Sequence, residues 1–273
     1  MTIPTSRQIT SVELMSPRAV AKKYHERALG MVIPRAFGSK SKRKPNKSKK
    51  SLILEDYVLL HIGKTGGTSI GRFLRKFRKD GQDIKIKKVG HRITLQRVLE
   101  ESPSCKVGFV IREPSTRFVS GFNSRLRSGR PAHHHTWSTD EAVAFSYFPT
   151  ANDLAEALVT DDERMRSAAE FAMQAIGHLR RGYAFHLGGV APLKEAADRI
   201  YCVAELEHLN DDVFRLLEPA GLSREQIAEA FQTEHQAPSK GPALSEKAID
   251  NLKTFWRQEY RIYDYCRKHL VRR

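Results

Sequence analysis

From residue 57 onward, short apolar runs alternate with longer amphipathic stretches. The first run, YVLLHI (57–62), is continuous, the pattern of a parallel strand covered on both faces. It stops at Gly63. GTSIGRFLRKF (67–77) then places Ile70, Phe73, Leu74 and Phe77 on one helical face. DIKIKKV (83–89) alternates and predicts a second strand, followed by a helix over 94–101. CKVGFVI (105–111) predicts a third strand ending at Arg112. Pro114 marks the first turn of the next helix, where its missing N–H costs nothing, and Phe118, Val119 and Phe122 follow on that helix. Residues 128–150 predict a polar, aromatic loop containing His133–His135, and 151–182 predict helix. RIYCVAEL (199–206) predicts another strand, with helices over 207–220 and 223–233. HQAPSKGPALS (235–245) predicts a loop before one last helix from Ser245 to Leu270. No internal repeat is visible.

Strands alternating with helices imply an α/β fold with a central parallel sheet, right-handed crossovers and a helical C-terminal half. Ligands of such sheets bind beyond the C-terminal strand ends. Those ends hold His61–Gly63, Gly90–His91 and Arg112, so three polar groups separated in sequence are expected on one rim.

Composition adds less than the pattern does. The chain has 273 residues, 40% of them hydrophobic, with a mean hydropathy of −0.50. That accommodates one large α/β domain, here expected over 51–273. The net charge of +16 invites a nucleic-acid reading. However, residues 1–50 hold 13 of the 47 basic residues and only 2 of the 31 acidic ones. SKSKRKPNKSKK (39–50) is the densest part, so 1–50 reads as a basic tail and the body is only mildly basic. The tail is either a solvated arm or one that collects polyanions. Three scattered cysteines, with no metal-ligand spacing, exclude a disulfide framework and fit a reducing compartment. No apolar run approaches the roughly 18 residues of a membrane span, and the N-terminus lacks a secretory apolar core. A cytoplasmic location is expected.

The chemistry concentrates in HIGKTGGTSI (61–70). Glycines let the backbone approach a ligand, and amides at a helix N-terminus bind anions. Lys64 adds a point charge, and Thr65, Thr68 and Ser69 add hydroxyl donors, with Gly66 and Gly67 between them. A nucleoside-triphosphate loop, G-x-x-x-x-G-K-[ST], fits poorly, because its first glycine would fall on Val58, and a purely structural Gly-rich turn would leave the lysine and three hydroxyls unexplained. Downstream, VGFVIREPSTRFVSGF (107–122) ends a strand on Arg112 and sets Ser120 eight residues later. Arginine pairs well with phosphate, and Ser120 lies about two turns into the helix. Among the 11 histidines, His91 follows the second strand at the rim and has the pKa range of a neutral-pH base. A purely hydrogen-bonding His91 is the open alternative. His61 is read as shaping the loop, and His133–His135 as a solvated or substrate-facing loop.

HIGKTGGTSI resembles the 5′-phosphosulfate loop of sulfotransferases that use 3′-phosphoadenosine 5′-phosphosulfate (PAPS), particularly the carbohydrate-type branch. The Arg112/Ser120 pair is similar to that family's 3′-phosphate motif. The resemblance implies a P-loop-like three-layer fold and transfer of a sulfuryl group from PAPS to an acceptor hydroxyl, expected on a saccharide. It implies a mechanism needing no metal. It further implies Lys64 on the leaving phosphate, His91 as base, and a loop closing over the nucleotide, with Ser239 and Lys240 as its candidate contacts. Two rivals remain: a small-molecule or sugar kinase, and a non-enzymatic polyanion binder led by the tail. Arg125, Arg127, Arg130, Arg180 and Arg181 are read either as favouring an acidic acceptor or as solvated helix faces.

Overall fold

The computed structural model describes residues 56–131, 134–232 and 243–271. The tail 1–50, His133, and Ser239 with Lys240 lie outside them. The strands are β1 (Tyr57–Leu60), β2 (Ile86–Lys88), β3 (Lys106–Ile111) and β4 (Ile200–Glu205). They form one fully parallel sheet in the order β2–β1–β3–β4. Val58 pairs with Lys87 on one side and Val107 on the other, so β1 is central.

Alternate β1 residues serve two cores. Val58 and Leu60 face α2 (Leu95–Glu101), α8 (Tyr183–Leu187), α9 (Val190–Glu195) and α13 (Arg257–His269). Leu59 faces α1 (Gly67–Lys79) and α10 (Leu209–Leu217). This is the expected parallel strand buried on both faces. Ile70, Phe73, Leu74 and Phe77 of α1 are buried as the helical spacing predicts. Burying each such side chain contributes about 1.5–3 kcal/mol, whereas helix propensity contributes only tenths per residue. Packing on the sheet therefore fixes α1, and with it the loop at its N-terminus.

A third core is all-helical. It joins α3 (Pro114–Leu126), α4 (Thr139–Tyr147), α5 (Ala151–Ala157), α6 (Glu163–Ala175), α7 (Gly177–Arg180) and α12 (Glu246–Phe255), around Phe118 and Phe122. α11 (Arg224–Gln232) packs Ile227 into the sheet-side core.

Three local expectations are corrected and one is refined. The stretch 128–150 is not all loop, because Ser138 and Glu141 form a reciprocal capping box that starts α4. The stretch 151–182 is helical as expected and divides into three helices. Asp162 caps α6, and buried Ile176 is extended at φ −74°, ψ 107°. The last helix breaks at Trp256 (φ −99°, ψ 31°), whose ring packs edge-on against Phe118 at 5.5 Å. The second strand shortens to three residues. Among the described residues, no helix is long and apolar enough to cross a membrane.

Candidate functional site

The loop after β1 turns through two left-handed residues, Lys64 (φ 70°) and Gly66 (φ 82°). Thr65 is buried, and its Oγ1 donates to the Ile62 carbonyl at 3.0 Å. Thr65 therefore braces the loop, whereas Thr68 is exposed and Ser69 half-buried. Gly67 opens α1 against the ring of His61. A Cβ there would lie 2.3 Å from that ring, so only glycine fits. α1 has no side-chain cap and no acid in its first turn. By contrast, α3 leaves the same rim already capped: the Glu113 carboxylate accepts from the amides of Ser115 and Thr116 at 3.0 and 2.8 Å. Of these two helix starts, α1 keeps its amides for an anion.

Because β1 and β3 are neighbours, Arg112 arrives beside this loop. Its Nη1 donates to the Lys64 carbonyl at 3.4 Å, and its Nε to Thr116 Oγ1 at 3.1 Å. Glu113 caps α3 instead of pairing with Arg112. Among the described residues, neither Lys64 nor Arg112 has a salt-bridge partner. Burial, then Arg112 and Arg127, lower the Lys64 ammonium to about 8. The fields of Glu207 and Glu113 reach Arg112 without forming an ion pair, so two half-buried cations outside any salt bridge form a site that an oxyanion would complete. The open amides and these cations fit the two phosphate ends of a nucleotide. Ser120 stands half-buried two turns along α3. No hydrogen bond joins it to Arg112 among the described residues.

A polar column fixes Arg112 from behind. The Tyr183 hydroxyl accepts from the Arg112 amide at 2.8 Å and donates to its carbonyl. Burial pushes the Tyr183 phenol well above its ordinary value, so it remains a neutral hydroxyl. Glu259 accepts from the Tyr183 and Ala184 amides at 2.6 and 2.8 Å and pairs with buried Arg117 at 3.2 Å. The Arg117 guanidinium also lies over the Tyr183 and Trp256 rings, at 5.3 and 5.0 Å. Arg117 is thus committed to the fold. Glu207 likewise meets the Glu113 amide at 3.2 Å, a structural contact. Tyr183→Phe keeps the ring but removes both bonds to Arg112. It is expected to cost about 1–3 kcal/mol, read as a lower urea midpoint with an unchanged denaturant slope.

His91 packs against His61, with ring centroids 3.7 Å apart and the planes tilted by 37°. Desolvation lowers the His91 imidazole below its ordinary value, with Lys88, Arg181 and Lys64 adding to the effect. His186 is buried, and its Nδ1 proton reaches the Ile93 carbonyl at 3.3 Å, which anchors the segment after His91. Burial lowers His178 to about 4, followed by the fields of Lys64, Arg125 and His91. Sequence reasoning missed Lys88, His178, Tyr183 and His186. The last three come from helices that periodicity alone could not place at the rim. Arg125, considered above for an acidic acceptor, is instead taken by Glu141, Nε to Oε1 at 2.6 Å and Nη2 to Oε2 at 2.6 Å. Arg181 remains at the rim, 5.8 Å over the exposed ring of Phe185. Among the described residues, no cluster of His, Cys, Asp or Glu could hold a metal ion.

Compared with known proteins, residues 54–266 match the model of the Sulfotransferase family. No curated protein and no solved structure matches.

Proposed function

The chain belongs to the sulfotransferase family, and from that premise we propose that it moves a sulfuryl group from PAPS to a saccharide hydroxyl. The observation carrying this reading is the pair of cations outside any salt bridge, Lys64 and Arg112, with Arg112 Nη1 3.4 Å from the Lys64 carbonyl beside the uncapped start of α1. When bound, PAPS supplies the sulfuryl group and departs as adenosine 3′,5′-bisphosphate. The α1 amides, Thr68 and Ser69 hold the 5′ end; Arg112 and Ser120 hold the 3′-phosphate, with Ser239 and Lys240 proposed to cover the nucleotide. The acceptor oxygen bonds to sulfur as the sulfur–phosphate oxygen bond breaks. His91 takes the hydroxyl proton on a ring nitrogen, and Lys64 neutralises the charge growing on the departing phosphate. Arg181 and Phe185 offer the acceptor a cation and an apolar face. Residues 51–273 act as one domain carrying 1–50 as a basic tail.

The pH dependence tests both assignments. His91 works unprotonated, and its value is held below that of an ordinary imidazole, so kcat/KM should hold through neutral pH and fall only as pH drops through that lowered value. Lys64 works protonated, so kcat/KM for PAPS should fall as pH rises through about 8 in the free enzyme. His91→Asn should remove the acid limb, and Lys64→Arg the alkaline one. Radiolabelled sulfuryl transfer to a saccharide panel supplies the rates. Full turnover by His91→Asn with the wild-type acid limb would sink the base assignment.

A further inference from the structure

Lys88 occupies an inward register position. Ile84 and Ile86, four and two residues earlier, fill the sheet-side core, and Lys88 continues their face toward α1. An apolar residue is expected there. Its ammonium has no carboxylate within salt-bridge distance among the described residues. It lies instead 2.8 Å from His61 Nδ1. Two glycines of α1, one turn apart, make room for this pair. A Cβ at Gly67 would strike the His61 ring at 2.3 Å, and one at Gly71 would press on Lys88 Cδ and Cε at 3.0 Å. His91 also packs on the His61 ring, with centroids 3.7 Å apart and the planes tilted by 37°.

We propose that Lys88 is a positioning residue: it fixes His61 as the neutral ring with its proton on Nε2, and thereby keeps the neighbouring His91 in its base form. The chemistry is direct. An ammonium has only protons to offer, so His61 Nδ1 must be the bare nitrogen and Nε2 must carry the proton. Cδ2 and Nε2 are the ring atoms nearest the Gly67 position, 2.3 and 2.6 Å from where a Cβ would stand, so the Nε2 edge of the ring faces the start of α1. A second proton on His61 would set an imidazolium beside Lys88. The groups facing His61 are Lys88 from β2, His91 from the following loop, His186 from α8 and His178 from α7, and none is acidic. Those facing His91 are Lys88, Arg181 and Lys64. Burial and this field hold His61 down at about 2. His91 packs on a ring that cannot become charged in the working pH range, and it meets Lys88 as well.

This inference rests on His91 being the base, and the experiment separates the two. The full chain, labelled with 15N-histidine, is titrated by long-range 1H–15N correlation. Wild type should show His61 as the Nε2–H tautomer, unprotonated down to pH 5. Lys88→Met should mix the tautomers and raise the titration of both His61 and His91. The acid limb of kcat/KM should then move up by about one unit, so activity at a fixed pH on that limb falls by up to roughly tenfold. Lys88→Arg should restore the wild-type spectrum and profile. Lys88→Gln still donates to Nδ1, so it should preserve the tautomer and keeps the test open if the methionine variant does not fold. An Nδ1–H tautomer in wild type, or histidine titrations unmoved in Lys88→Met, overturns the inference. Shifted histidine titrations with an unmoved acid limb place the fault in the assignment of His91 as base.

Discussion

Replacing Lys64 with alanine is expected to lower sulfuryl transfer by about 10²–10³-fold while leaving the fold intact. The loop geometry makes this a clean substitution. Lys64 already bears a Cβ in the left-handed region (φ 70°), so alanine adds no backbone strain there. The Arg112 contact survives as well, because it is made to the Lys64 carbonyl and not to its side chain. What disappears is one half-buried ammonium with no carboxylate to neutralise it. Negative charge on the leaving phosphate is greatest in the transition state, so kcat should fall more than affinity for adenosine 3′,5′-bisphosphate. Radiolabelled transfer at saturating PAPS measures the first, and calorimetry with the bisphosphate the second. Transfer at the wild-type rate would remove Lys64 from the chemistry. A loss confined to affinity would make it a binding residue only.

What the chain discloses before folding depends on the range of the interaction. β1, α1, β3 and α3 are legible because each rests on local periodicity: the continuous run 57–62, the stripe Ile70–Phe77, the run ending at Arg112, and Pro114 at a helix start. The meeting of Lys64 and Arg112, 48 residues apart, follows from that reading, since both sit at C-terminal ends of parallel strands. Other features need the third dimension. Arg117 finds Glu259 across 142 residues, and Tyr183 finds Arg112 across 71; neither spacing carries a pattern. Nothing in the alternation of DIKIKKV singles out Lys88, yet its register turns it inward onto His61. The break at Trp256 arises from packing against Phe118 and Arg117, which overrides a helical sequence. The start of α4 was readable in principle. S-T-D-E at 138–141 is a capping box, outweighed in the sequence reading by the polar, histidine-rich residues before it.

Arg112→Ala is expected to weaken adenosine 3′,5′-bisphosphate by about 30- to several-thousand-fold, the 2–5 kcal/mol of removing one partner from a partly buried charged contact. The comparison between ligands carries the argument. If Arg112 meets the 3′-phosphate, the substitution should barely change affinity for adenosine 5′-phosphosulfate, which has no phosphate there. Wild type should therefore prefer the doubly phosphorylated nucleotide, and the variant should lose that preference. Arg112→Lys should recover only part of it, because an ammonium cannot reproduce a planar, two-pronged contact. Ser120→Ala should reduce the same preference by a smaller factor, near the roughly 1 kcal/mol of a single hydrogen bond. Both effects need the backbone behind Arg112 to stay in place, which is the work of the Tyr183 hydroxyl at 2.8 Å from its amide. An equal loss for both nucleotides would move Arg112 to the 5′ end with Lys64. Tighter binding of ATP with Mg²⁺ than of the bisphosphate would favour phosphoryl transfer at this rim. A selective loss of the bisphosphate ties the two ends of the site to the two ends of one nucleotide: an uncapped helix with Lys64 for the 5′ end, and Arg112 for the 3′.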